Sequence, residues 1–195
     1  MPRRSAEQAR LLRGLQSPPA RAARFLLGTL LVRRRGRRVQ VARIVETEAY
    51  LGQGDPAAHV FRGRTERNAP LYGAPGTAYV YFIYGMHHCL NLAVDRDGVP
   101  GCVLIRAAEL IQDDGEVDAR SCSGPGRLCR TLGIDTRLSG RHVFDERATL
   151  LLRAGRRPRR IGVSARIGIR HAADRPLRFY DADSPAVSGS RTWAL

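Results

Sequence analysis

In the stretch RIVETEAY, residues 43–50, two glutamates and a tyrosine fall on alternate positions. In a strand without a bulge the period of two sends Glu46, Glu48 and Tyr50 to one face. Carboxylates beside an aromatic ring at a strand end, just ahead of Gly-rich chain, suit the floor of a catalytic site. One of them can activate water as a general base or stabilise a cationic, sugar-like transition state. Spacing alone describes a solvated strand end at least as well, because strand ends are often charged.

The second notable stretch is YVYFIYGMHHCLNLAV, residues 79–94, which holds three of the six tyrosines of the chain. Alternation places Tyr79, Tyr81 and Ile83 on one face and Val80, Phe82 and Tyr84 on the other. Tyr84 directly precedes Gly85 and should project from a hairpin tip, where a ring can act as a wedge between stacked bases. Tyr81, further back, can line a pocket and stack on a flat heterocycle. Sheet core with hydroxyls satisfied locally explains the same pattern. Asn91 stands among Leu90, Leu92 and Val94, either as a locally satisfied amide or as a reader of a base edge. In the loop sequence between these stretches, His59 follows DPAA, and FRGRTERN brings Arg62, Arg64 and Arg67 close together. Three arginines in six residues suit phosphates and equally suit a solvated basic loop.

The elements that must hold these residues can be read from caps and periodicity. SAEQ at 5–8 has capping-box form and opens a helix to about Leu15. A second helix begins at SPPARAARFLLG, with Pro19 in its first turn and Gly28 as its stop. TLLVRRRGRRVQVARIVETEAYL reads as a hairpin turning at Gly36, and 52–76 as a long irregular segment. Residues 77–84 and 88–94 form a second hairpin turning at GMHH, 101–110 another strand, and QDDGEVD an exposed acidic stretch. A short helix is expected over 123–134, with strands at 148–152, 160–169 and 177–180. The fold class is α+β: one domain over residues 1–195, with a curved, mostly antiparallel sheet and helices on one side. Residues 1–16 are expected as a loosely attached N-terminal helix.

Composition narrows the partner. There are 33 basic and 18 acidic residues, a net charge of +15 and a pI near 11.2. All the basic residues are arginine. Such an excess on a chain of 195 residues is the footprint of a polyanion binder, and arginine offers phosphate a rigid bidentate fork. No long apolar span or basic amphipathic helix points to a membrane. The arginines at the start are followed by no apolar run of signal-peptide length, so a cytoplasmic location, in association with nucleic acid, is expected. Cys89, Cys102, Cys122 and Cys129 form no C-x-x-C pair and His87 and His88 have no second ligand pair, so no metal and no cofactor are expected. The cysteines are read as reduced, small core residues.

The motifs ETEAYLGQGDPAAH, GTAYVYFIYGMHHCLN, VLIRAAE, CSGPGRLC and PLRFY, in this order, resemble the alkyladenine (3-methyladenine) DNA glycosylase family from about Ala20 to Tyr180. That resemblance implies a monofunctional, monomeric base-excision enzyme that flips a damaged purine out of double-stranded DNA and hydrolyses its N-glycosidic bond. It implies Glu48 as the general base, with Arg106 and the backbone carbonyl of Ile167 holding the attacking water. Tyr50, His59 and Tyr81 would sandwich the flipped base, and Asn91 would face the exocyclic amine of guanine. Tyr84 would fill the gap left in the duplex, and Met86, Arg62, Arg64 and Arg67 would lie in DNA-contacting segments. The competing class is a non-catalytic, Arg-rich nucleic-acid-binding module of the same fold.

Overall fold

The computed structural model describes residues 5–145 and 147–189; the outermost residues of the expected 1–195 domain, 1–4 and 190–195, lie outside the described residues. Helix α1 (Ala6–Leu15) starts where the Ser5 hydroxyl accepts the Gln8 amide. Helix α2 (Pro19–Leu26) starts at a proline, and α3 (Pro125–Leu132) also starts at a proline and stops at Gly133 in the left-handed conformation. Leu11 and Leu15 of α1 are fully buried in the main core, and the Glu7 carboxylate accepts the Ala154 amide at 2.6 Å. Residues 6–15 are therefore packed into the body of the protein, where the sequence suggested a loose attachment.

The strands are β1 (Leu30–Arg35), β2 (Arg38–Tyr50), β3 (Ala78–Ile83), β4 (His87–Val94), β5 (Gly101–Ile111), β6 (Val117–Asp118), β7 (Leu150–Arg153), β8 (Ile161–Ser164) and β9 (Arg178–Asp181). They make one curled sheet in the order β3-β4-β5-β2-β1-β7, with β6 on β5 and the β8–β9 pair on β2. All the pairings are antiparallel. The three helices cover one face, closing a core that includes Leu15, Leu26, Ile44, Val80, Leu90, Ile105, Leu128 and Phe179. The fold is thus the α+β arrangement expected from the sequence.

Strand β2 positions the other face. One edge pairs with β5 along most of its length; the opposite edge pairs with β1 up to Arg43 and with β9 from Glu46 to Glu48. At this change of partner the register against β5 slips twice. Ile44 opposes Ala108, Glu46 opposes Ala107 and Thr47 opposes Ile105, so Val45 is the extra residue on β2 and Arg106 the extra residue on β5. The slip inverts the alternation. Ala42 and Ile44 face the helices before it; Ala49 and Thr47, whose hydroxyl donates to the Ala23 carbonyl, face them after it. Unbroken alternation from Ile44 would have driven Glu46 and Glu48 into the apolar core. The bulge lies upstream of the trio, so Glu46, Glu48 and Tyr50 still share a face, turned away from the helices.

Two boundaries differ from expectation. The second hairpin turns at Tyr84–Met86, not at GMHH, and Tyr84 itself takes φ 54°. The strand expected over 160–169 stops at Ser164, and the chain then bends through Gly168 at φ 75°. That early stop frees residues 165–169 to reach across to the end of β2.

Candidate active site

A cavity of about 350 Å³ opens on the side of β2 that carries Tyr50, with the first residues of α3, Pro125 and Gly126, in its lining, within the size range of small-molecule sites. Its wall includes Tyr50 from β2, Tyr81 from β3, Asn91 from β4, Arg106 from β5, His59 from the irregular segment and Ile167 from the bend after β8. Tyr84 stands at the mouth. Residues far apart in the chain, read separately as candidates, are thus brought to one place.

Glu48 lies beneath this wall, with no exposed surface. Its Oε1 accepts the Ile167 amide at 2.7 Å and lies 3.2 Å from Arg106 Nη1; its Oε2 accepts the Tyr50 hydroxyl at 3.0 Å. Each of these three neighbours lines the cavity, so Glu48 forms the layer under its floor. Burial pushes the Glu48 carboxyl above the ordinary carboxylate range, against the pull of the Arg106 charge and the two hydrogen bonds. A carboxylate that is costly to keep ionised, yet held by fixed donors, is disposed to take a proton. Of the four lone-pair positions, one on Oε2 is left open by these contacts. The part of Ile167 that reaches Glu48 is its N–H.

Glu46, grouped with Glu48 by spacing, does a different job. Its Oε1 accepts Arg106 Nε at 2.7 Å, Arg178 Nε at 2.7 Å and the Ser188 hydroxyl at 3.0 Å, while Oε2 accepts the Ser188 amide at 2.6 Å. Arg178 also donates to Ser164 Oγ and to the Ser188 carbonyl. Glu46 is the hub that ties β2, β5, β9 and the 184–188 segment together and fixes the guanidinium of Arg106 against Glu48. Both carboxylates therefore share one arginine, and this arginine is the bulged residue of β5.

The aromatic wall is equally fixed. His59 Nδ1 and the Tyr79 hydroxyl are 2.9 Å apart, and the His59 ring stands edge-on to Tyr81 with centroids 4.5 Å apart. Crowding against these rings and the nearby Arg67 charge hold the imidazole below its ordinary pKa, favouring the neutral ring. Tyr79 is buried, and its role in holding His59 was not read from the sequence, although it shares a face with Tyr81. Asn91 Nδ2 donates to the Tyr79 carbonyl at 3.3 Å, and the side chain remains in the wall.

The residues assigned to DNA segments lie outside the cavity or at its lip. Tyr84 and Met86 are 77% and 69% exposed, a degree of exposure that core packing would not leave to two large apolar side chains at one tip. Arg62, Arg64 and Arg67 are all exposed. Arg67 lies 5.7 Å from the Tyr81 ring centroid and donates to the Phe82 carbonyl; Arg64 lies 5.4 Å from the Tyr72 ring. The four cysteines are buried and unpaired, with burial raising the Cys102 thiol to about 12.

A family model described as methylpurine-DNA glycosylase (MPG) matches residues 13–185. The chain belongs to this family. Members with similar sequences carry the name "Putative 3-methyladenine DNA glycosylase". One from Methanocella arvoryzae is 42% identical over 183 residues, covering 88% of this chain and 91% of that protein. One from Koribacter versatilis is 43% identical over 205 residues, covering 98% and 99%. One from Synechococcus elongatus is 46% identical over 178 residues, covering 89% and 88%. A methylpurine-DNA glycosylase has DNA as its substrate, in keeping with the charge of +15. Among the described residues no helix is long and apolar enough to cross a membrane.

Two further residues, behind the wall of the cavity, were not singled out in the sequence. Arg166 and Asp55 form an ion pair with both side chains fully buried, Nη1 at 2.5 Å from Oδ2 and Nη2 at 2.9 Å from Oδ1. Their signal in the sequence is weak, because they are 111 residues apart and each looks like an ordinary loop residue.

Proposed function

We propose that the protein excises alkylated and deaminated purines, of the 3-methyladenine, 7-methylguanine and hypoxanthine type, from double-stranded DNA as a monomeric, monofunctional glycosylase. The target nucleotide swings out of the duplex into the cavity, at least cost where damage has already weakened pairing. Tyr50, His59 and Tyr81 hold the base by stacking, Asn91 disfavours the guanine amine, and Tyr84 occupies the gap in the stack. Met86 lies beside Tyr84 against the duplex, and the exposed Arg62, Arg64 and Arg67 hold the flanking backbone.

A water bound at the open position of Glu48 Oε2 adds its oxygen to the anomeric carbon of the deoxyribose. As the N-glycosidic bond breaks, its electron pair leaves with the purine, and the water proton passes to Glu48. The positive charge that builds on the sugar is stabilised by the same carboxylate. Arg106 and Ile167 set the carboxylate and water in place. A base that is already cationic leaves as a neutral purine and needs no acid, whereas hypoxanthine leaves as an anion that takes its proton from solvent. Because Glu48 has no exposed surface, the water reaches Oε2 as the Tyr50 hydroxyl yields. No step calls on a metal or cofactor.

The observation that carries this reading is a buried carboxylate with a raised pKa, held by three cavity-lining groups under an aromatic slot. Single-turnover excision from a duplex with one hypoxanthine or one 7-methylguanine, read as alkali-labile breaks, tests it. Absence of breaks in both duplexes, with binding intact, would favour the non-catalytic binding module.

A further inference from the structure

Arg166 is 4% exposed and does not line the cavity, yet its guanidinium carbon lies 4.7 Å from the centroid of the Tyr50 ring, which does. The ring therefore stands between a buried cation and the space where a base would stack. Arg166 Nη1 also donates to the Ala49 carbonyl, and its Nε has no hydrogen-bond partner. Its counter-charge is Asp55, which in turn accepts the Leu51 and Ala57 amides. Burial pushes the Asp55 carboxyl up, but the hydrogen bonds from Arg166, Leu51 and Ala57 more than offset this and hold it ionised.

A cation already engaged with one face of an aromatic ring opposes a second cation on the other face, because both draw on the same quadrupole and repel each other. We propose that the Asp55–Arg166 pair behind Tyr50 sets how strongly the cavity prefers a positively charged purine over a neutral one. With Asp55 ionised the pair is nearly neutral as seen from the cavity, and a cationic base stacks on Tyr50 unopposed. Asp55 thus acts as a specificity residue through Arg166 and touches no substrate itself. The proposal rests on the glycosylase reading given above.

A base stacked about 3.5 Å from the far side of the ring would lie about 8 Å from the guanidinium. At that separation one uncompensated like charge changes a rate ratio about thirtyfold at an effective dielectric of about 20 and about twofold in water. About tenfold is expected for a half-open cavity between these limits.

The experiment compares single-turnover excision of 7-methylguanine, which is cationic, with that of hypoxanthine, which is neutral, each in the same duplex. It uses the full chain and the variants Asp55→Asn, Arg166→Gln and the two together, with folding checked by circular dichroism. Asp55→Asn should lower the cation-to-neutral ratio about tenfold, Arg166→Gln should raise it, and the double variant should return it towards the starting value. The charge developing on the sugar is common to both substrates and cancels in the ratio. Ratios that stay unchanged, or that shift in the same direction in both single variants, would overturn the proposal, since a packing defect has no sign. Should Asp55→Asn fail to fold, Arg166→Gln decides alone, and an unchanged or lowered ratio overturns it. Excision of neither base by the unsubstituted protein would overturn the glycosylase reading, and this proposal with it.

Discussion

Replacing Glu48 by glutamine separates its chemistry from its place in the fold. The glutamine oxygen can sit at Oε1, where it keeps the Ile167 amide at 2.7 Å and Arg106 at 3.2 Å. The amide nitrogen then faces the Tyr50 oxygen, which turns its own proton away and accepts. Stability should barely change. Burial raises the Glu48 pKa despite the opposing pull of Arg106, so the neutral side chain sheds a desolvation cost as it gives up the ion pair. A net effect within about 1 kcal/mol corresponds to a melting shift within about 4 °C for a chain of this size. Activity should change greatly, because a general base contributes about 10² to 10⁴ in rate, or about 3 to 5 kcal/mol of barrier. Single-turnover excision of hypoxanthine from a duplex, paired with a binding assay and a thermal melt, reads all three quantities. Excision within about tenfold of the unsubstituted protein would remove Glu48 from the base role. A fall in melting temperature beyond about 10 °C would make the carboxylate a structural element.

Four further outcomes follow from the same geometry. The raised Glu48 carboxyl must be ionised to act, so excision should fall as pH drops through a value above the ordinary carboxylate range; a limb at or below that range in a pH–rate profile would contradict the assignment. Glu46→Ala leaves Arg178 as a buried, uncompensated cation and Arg106 with Glu48 alone, and should cost about 3 to 5 kcal/mol, visible in denaturant unfolding, and an unchanged midpoint would refute its role as hub. Tyr84→Ala should leave the melting temperature unaltered, since the side chain is 77% exposed, while reducing excision from duplex far more than from single strands; equal losses on both would count against the wedge. Affinity for undamaged duplex should fall steeply between low and physiological salt, as expected for many arginine–phosphate contacts, and a flat salt dependence would argue that the charge serves another purpose.

Much of the architecture was legible in the sequence. The helix starts at Ser5, Pro19 and Pro125 and the turn at Gly36 are set by local backbone rules that neighbouring residues express directly. The aromatic alternation of β3 was likewise readable, because Tyr79 and Tyr81 share a face for a reason two residues long. The direction in which that chemistry points was not readable. Period-two counting cannot register an inserted residue, and one extra residue at Val45, matched by Arg106 on β5, turns both glutamates away from the apolar core. The division of labour between Glu46 and Glu48 depends on partners 132 and 119 residues distant, Arg178 and Ile167. The pair behind Tyr50 depends on the early end of β8 and the bend at Gly168, which bring Arg166 across to Asp55. Side-chain identities and local turns are written along the chain; which carboxylate meets which guanidinium, in what depth of burial, is settled by strands that meet only once the sheet has closed.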